Sequence, residues 1–349
     1  LDRSKNPFFR YGDAIPLLAT DEGGKVVGRV LAHVYHRHNA RHRERAAFFG
    51  YFECLDNTAA AQALIGAARE FGARHNCDVL RGPFNMTAMQ EMGTLLEGFD
   101  RAPALDETYT QPYYPRLMEA AGLRAIFPHA TFRVSDLGRV DPESLLNSRH
   151  SDTLASGRLR IRPANMKEYD REIDTLRDLL NDSFYDNPHF VPLTREEFIF
   201  QLGPLRRLMD PAISLVAELE GVPCGFIVAV PDFNRLLKPL NGKLGLSGIL
   251  RFLFGRRGIH DAVLIIMGVQ RHLQGQGIMR VLQAELLGAL RKREYKSLTI
   301  TWVAEGNARS LATMQAIGAE PWHRLTLYEC PIKSAIESTI ESTIESAKS

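Results

Sequence analysis

No two of the four cysteines, Cys54, Cys77, Cys224 and Cys330, stand in a C-x-x-C spacing. A zinc site or a disulfide frame therefore has no support, no metal is expected, and a reducing cytoplasm is the expected setting. No apolar run reaches the roughly 18 residues that a membrane-spanning helix needs. An excess of one charge is also lacking: 43 Lys and Arg stand against 41 Asp and Glu, a formal net charge of +2. Whole-chain attraction to nucleic acid does not follow, and no nucleic-acid partner is expected. The chain opens on Leu1 rather than Met, so any earlier segment or targeting signal is invisible from this sequence. The hydrophobic content, 45% of 349 residues, is enough for two cores.

The most informative stretch is Gln274-Gly275-Gln276-Gly277-Ile278. An apolar run over 262–269, rich in β-branched residues, precedes it and reads as a buried strand. After it, Ile278, Val281, Leu282, Leu286, Leu287 and Leu290 recur at helical spacing. A strand feeding a glycine turn and a helix start forms an anion site, because turn amides and the positive helix end converge there. Glycine lets a phosphate approach the backbone with no Cβ in the way.

The fold class expected is α/β (α+β), with a central mixed twisted sheet flanked by helices in each of two domains. In the first, residues 25–35, 46–53, 78–81 and 130–134 read as strands, 58–75 as a long helix and 115–121 as a short one. Residues 136–157, polar and loop-like or weakly helical, read as a linker between domains at 1–135 and 158–333. The second has strands at 158–163, 212–219, 222–230, 262–269, 297–303 and 325–330. Its helices fall at 166–184, 194–208, after Gly277 and at 308–317, with Thr194 and Glu197 spaced as a capping box. Residues 232–260 interrupt it as an insertion. The tail 334–349 repeats with period four, stacking Ile336, Ile340 and Ile344, and is expected to be a frayed or self-associating end.

This order, with two motifs, resembles the GNAT acyltransferase superfamily, which uses acyl-coenzyme A. Gln274 and Gly277 match the family's phosphate loop, and Met279 departs from it. Asn307 and Gly318, with Leu311 between, match its second signature; Met314 stands where a Tyr is usual and Ala319 where Phe is common. The resemblance implies that Val269 and the run Gln274, Gly275, Gln276, Gly277, Ile278 and Met279 hold coenzyme A, its pyrophosphate on the backbone amides. Pantetheine would lie between splayed strands 262–269 and 297–303, with Asn307 holding the cofactor arm or capping its helix. The first half echoes the strand-helix-strand core, and Tyr113 to Leu123 looks like the second signature. Its junction 53–57 has no glycine pair and carries Glu53 and Asp56, which would repel a pyrophosphate. It resembles a degenerate GNAT half, as in large bacterial tandem proteins of the family, some of which acylate lipid amines such as sphingoid bases.

Amide formation needs a neutral amine, a route for its proton and a stabilised oxyanion. Met314 cannot protonate the departing thiolate, and solvent can serve instead. Candidate bases are Glu305, just past strand 297–303, His260, before strand 262–269, and Glu91. Glu91 lies in the polar, glycine-punctuated stretch 82–100, where Asn85, with Tyr109 and Tyr114 farther on, would line an acceptor cleft. Each has a plainer reading as a solvated or packing residue.

Residues 233–260 carry six Arg or Lys and no acid before Asp261, interleaved with Leu, Ile and Phe. Such a segment is a lid or a reversible contact with an anionic membrane surface, each basic group adding about 1 kcal/mol there. It extends the expectation from a generic amine to a long-chain acyl donor and a lipid amine, as in a ceramide-synthase-like reaction in the cytoplasm or at the inner membrane. Two other classes fit the same motifs: a transferase of related fold using aminoacyl-transfer RNA, and a non-catalytic acyl-coenzyme A binder.

Overall fold

A computed structural model describes residues 2–87, 89, 91–203, 206, 209–240, 255 and 258–332. Most of the insertion and the entire repeat tail lie outside the described residues. The strands are β1 (Gly12–Thr20), β2 (Val26–Tyr35), β3 (Ala46–Cys54), β4 (Val79–Gly82), β5 (Thr94–Glu97), β6 (Arg124–Val134), β7 (Leu159–Pro163), β8 (Ser214–Leu219), β9 (Val222–Pro231), β10 (Asp261–Val269), β11 (Ser297–Ala304) and β12 (Glu320–Pro331). The principal helices are α1 (His36–His42), α2 (Thr58–Arg74), α3 (Tyr114–Ala120), α4 (Ser148–Ala155), α5 (Tyr169–Ser183), α6 (Arg195–Leu202), α7 (Ile278–Lys292) and α8 (Ala308–Ala316).

Each half of the chain holds one parallel strand pair joined by a helix. In the first half α2 links β3 to β4. In the second α7 links β10 to β11. The helices form where the apolar spacing is 3.6: α2 buries Ala60, Ala61, Leu64, Ile65, Ala68 and Phe71, and α7 buries the six apolar residues that the sequence singles out. The Thr194–Glu197 capping box is present at α6. Glu197 also accepts from Arg37 (2.7 Å) and Tyr35 (3.2 Å), tying α6 to the first half.

The strands continue through both halves as one sheet, in the order β1-β2-β3-β4-β12-β6-β11-β10-β9-β8-β7, with β5 paired to β12. The last strand of the chain therefore does not sit on the second half's own sheet. β12 lies antiparallel between β4 (Tyr328 opposite Gly82) and β6 (Leu327 opposite Phe127), and β6 pairs in turn with β11 (Leu298 opposite Val134). Each half thus receives the final strand of the other. The exchange pairs strands that would otherwise be open edges.

Three elements were not evident from the sequence. β1 carries Pro16 and exposes alternate positions, as an edge strand does. α1 (HRHNARH) has no apolar periodicity, and β5 is four residues long. The segment 136–157 is also more than a polar connection: Leu137 and Leu145 are buried, and Val140, Leu146 and Leu154 pack on the core that α7 closes.

Three histidines are held neutral by the protein around them, His33 and His129 fully buried and His189 half-buried. Burial holds His33 down to about 3, His129 to about 4 and His189 to about 3. An unfolded imidazole titrates near 6.5, so below that pH the unfolded chain binds more protons than the folded one. Stability from these groups is therefore complete above about pH 6.5 and is lost as pH falls toward 4, by up to about 1.4 kcal/mol per pH unit for each imidazole. Melting temperature measured across this range is expected to drop steadily, and a flat profile would show that these histidines are charged in the folded state.

Candidate functional site

β10 and β11 pair only from Asp261–Leu264 against Ser297–Ile300. The register of β10 on β9 slips between Leu264 and Ile266. Such a bulge bends its strand and increases the local twist. Beyond it β10 follows β9 while β11 follows β6, through Val303 opposite Ala130 and Ala304 opposite His129. A wedge opens between the two parallel strands, with Thr301 Oγ1 donating to Ile265 O (2.8 Å) at its apex.

The glycine loop stands at the mouth of this wedge. Gly275 (φ +81°) and Gly277 (φ +89°) adopt left-handed conformations that suit glycine. The loop folds back on the strand through Gln274, whose Nε2 donates to Val269 O (3.2 Å) and Ser183 O (3.4 Å). Gly277 is the N-cap of α7 and supplies no side-chain cap. Among the described residues no side chain caps the first turn of α7, an arrangement that suits an outside acceptor. By contrast, Asn57 caps α2 by accepting from Ala60 N, and Asn307 caps α8 by accepting from Ser310 N. A Cβ on Gly277 would stand 2.1 Å from Nε2 of His150, so an imidazole from α4 forms the outer wall of the loop. An uncapped helix start, two left-handed glycines and an open wedge fit a nucleotide diphosphate with an extended arm.

The unit β3–α2–β4 in the first half is closed instead. Phe84 N donates to Phe49 O (2.7 Å), and a Cβ on Gly50 would stand 1.7 Å from Phe84 O, so the chain's own backbone lies against β3 there. Asp56 pairs with Arg116 at the start of α2.

From Gln274, at the head of the glycine loop, a cavity of ≈ 1280 Å³ runs through the wedge and across to the first half. That exceeds the roughly 300–1,000 Å³ of ordinary small-molecule sites. One end is polar, with Gln274, Asn307, Arg309 and Ser310; the middle is apolar, with Leu180, Phe184, Phe198, Phe200 and Ile266. The far wall comes from the first half: Tyr51, Asn85, Met89, Glu91, Asp106 and His129. Asn85 bridges, its Oδ1 accepting from Tyr51 N (2.6 Å) and its Nδ2 donating to Glu91 Oε2 (2.8 Å).

Gln274, Asn307, Asn85 and Glu91 thus meet in one cavity, although they come from opposite ends of the chain. Val269 and Ile278 are buried and Met279 half-buried, all packing in the second half's core. Gln276 turns back on the loop, donating to His272 O (3.2 Å). The other candidates are placed elsewhere. Glu305 is exposed, and its neighbours Ala304 and Gly306 line the cavity without it. His260 stands before β10, at the opposite end of the strand from the loop, its Nδ1 3.2 Å from Glu294 O. Tyr109 is exposed and donates to Phe99 O (2.6 Å). Tyr114 is buried in the first half's core, donating to Glu53 Oε2 (3.0 Å). Met314 is fully buried in the second half's core. β10 begins at Asp261, an acid bonded to Arg133 and Ser297.

Asp106 and His129 were missed in the sequence. The protein around its carboxyl and, next, the charge of Glu91 push Asp106 up to about 6. In sequence it is one more acid of an aperiodic loop, and no local pattern marks it. Among the described residues no cluster of His, Cys, Asp and Glu could hold a metal ion, and no helix is long and apolar enough to cross a membrane.

Residues 173–319 match the model of the acetyltransferase (GNAT) family. The chain is 29% identical over 314 residues to Protein YghO of Escherichia coli, covering 88% of this chain and 80% of that protein. It is 28% identical over 331 residues to a bacterial ceramide synthase of Caulobacter vibrioides, covering 93% and 85%. Among solved structures, a tandem GNAT protein from the clavulanic acid biosynthesis pathway superposes with a TM-score of 0.53 at 15% identity, covering 95% of this chain and 85% of that one. A GCN5-related N-acetyltransferase from Sphaerobacter thermophilus gives 0.53 at 13% identity, covering 91% and 81%; both share the fold. Wedge, glycine loop and family match agree: residues 173–319 form a GNAT-family acyltransferase domain, and the whole chain shares the fold of tandem GNAT proteins.

Proposed function

We propose that this protein is an N-acyltransferase that takes its acyl group from acyl-coenzyme A and passes it to a primary amine bound between the halves. The donor is a long-chain thioester and the acceptor a lipid amine such as a sphingoid base. The observation that carries this reading is one cavity joining Gln274, at the head of the glycine loop, and Asn307 to Asn85 and Glu91. The diphosphate rests on the first amides of α7, the pantetheine arm fills the wedge, and Asn307 and Gln274 border it. The apolar middle takes the acyl chain. Glu91, held by Asn85, faces the acceptor. The name of the Caulobacter vibrioides relative points to the same acceptor class. The basic, apolar insertion suits peripheral contact with an anionic membrane that would supply such an amine; its residues 241–254, 256 and 257 lie outside the described residues.

A thermal-shift series with coenzyme A, acetyl-coenzyme A and palmitoyl-coenzyme A tests the donor. Ligand at 100 times its dissociation constant adds about 2.7 kcal/mol of stability. Palmitoyl-coenzyme A is expected to stabilise more than coenzyme A, and thiol release from it is expected to require an amine such as sphinganine. Equal shifts would remove the long-chain donor, and no shift with any of the three would remove coenzyme A.

A further inference from the structure

The segment carrying Asp106 is pinned from both halves. From the second half, Asn234 Nδ2 donates to Pro103 O (2.7 Å), Asp232 Oδ1 accepts from Leu105 N (3.2 Å), and His323 Nδ1 lies 2.7 Å from Glu107 Oε1. From the first, Ala104 N donates to Glu107 Oε2 (2.6 Å) and Thr108 Oγ1 to Met92 O (3.1 Å). Ala104 is buried with Val230 and Val263, and Leu105 and Ile265 pack on that cluster. Ile265 lies within the bulge of β10 and accepts the Thr301 hydrogen bond at the wedge apex. Asp106 is therefore held where the two strands part, at the place an acyl thioester reaching through the wedge arrives. Its backbone is left-handed (φ +64°), a conformation that Asp adopts more readily than most residues.

One further proton acceptor lines the same cavity: Glu91, oriented by Asn85. His129 is fully buried behind this wall, with Nδ1 2.9 Å from Phe127 O and the Met92 backbone also beside the ring. Two carboxylates on this wall suit a cationic amine and repel a carboxylate.

Resting on the acyltransferase reading above, we infer that Asp106 takes the proton of the acceptor's ammonium while Glu91 holds that ammonium beside the thioester. The ammonium loses one proton to the Asp106 carboxylate. The freed nitrogen forms its bond to the thioester carbonyl carbon as the carbon–sulfur bond breaks. A second proton leaves the nitrogen and ends on the departing thiolate, and Asp106 returns its own to water. The products are an amide, a thiol and one proton.

Asp106 opens into this cavity and is exposed there. The protein around the carboxyl first, and the nearby charge of Glu91 second, raise it to about 6, so it is ionised at neutral pH and a stronger base than an ordinary carboxylate. The other titratable groups lining the cavity are Tyr51, Glu91, Glu107, His129 and Arg309. Burial pushes Tyr51 up and holds His129 down to about 4, so both stay neutral there. Behind the loop, burial raises Asp232, and His323 pairs with Glu107.

Steady-state thiol release from palmitoyl-coenzyme A with sphinganine, followed against pH, tests the assignment. Wild-type kcat/KM is expected to fall below about pH 6 as Asp106 takes up a proton. Asp106→Asn, which tolerates the same backbone, is expected to lose roughly 10²–10⁴-fold in kcat at neutral pH. It should keep the coenzyme A thermal shift, lose the acid limb and regain rate as rising pH deprotonates the amine in solution. Glu91→Gln is expected to move the acid limb lower, because one source of the raised basicity is gone. Asp106→Asn within about threefold of wild type, or an acid limb unmoved in both variants, would overturn the role of Asp106 alone. A wild-type protein that releases no thiol from this pair would overturn the long-chain, lipid-amine reading beneath it.

Discussion

Gly277→Glu is expected to abolish coenzyme A binding in a protein that still folds. The glycine has φ +89°, and a Cβ there would meet Nε2 of His150 at 2.1 Å, so any side chain displaces the imidazole or the loop. A glutamate adds a negative charge at the start of α7, where the diphosphate would bind the first-turn amides. The folding cost is confined to one strained loop residue, of order 1–3 kcal/mol. At a coenzyme A concentration 100 times the wild-type dissociation constant, the wild type gains about 2.7 kcal/mol and the variant none. Gly288→Glu is the control: it puts the same charge on α7 at a position with nothing within 4 Å of the new Cβ. Unchanged affinity in a folded Gly277→Glu protein would remove the glycine loop from the cofactor site.

Residues 1–157 expressed alone are expected not to fold cooperatively, although they contain the whole of the first domain expected from sequence. β4 and β6 are separated in the sheet by β12, from the far end of the chain. β12 brings Leu327 (0% exposed), Tyr328 (1%) and Cys330 (3%) into the cores of the first half. Truncating one such Leu or aromatic residue costs about 2–5 kcal/mol, and total stability is about 5–15 kcal/mol. Losing all of them, with two hydrogen-bonded ladders, exceeds what the fragment can spare. Leu327→Ala in the full chain is expected to cost about 3 kcal/mol by denaturant titration. A fragment showing a cooperative denaturant transition would mean that β6 can close onto β4 without β12.

The parts of the site that were legible are those whose chemistry is local. Gln274 and Gly277 announced a turn and a helix start, and the spacing from Ile278 to Leu290 announced the buried face of α7. Asn307 reads as a helix cap from sequence, and it is one. Asn85 and Glu91 were legible as a polar loop after a strand, but nothing in their own stretch says that the wall opposite holds Gln274 and Asn307. Tyr114 carries the same phenol as any cleft tyrosine, and only the packing of α3 turns it into the core against Glu53. Asp106 is the converse, an unremarkable loop acid until the fold places it on the wall of the cavity between the halves.

By itself the sequence determined where the chain turns, which faces of its helices are apolar, and that one glycine loop opens onto an uncapped helix. Those features depend on residues within a few positions of one another. The tertiary structure alone decided that β6 and β12 change places, since either strand's apolar pattern satisfies several neighbours and only burial of the whole sheet selects one. It alone decided that Asp106 lines the cavity and Glu305 does not, because the walls of that cavity come from residues far apart in the chain.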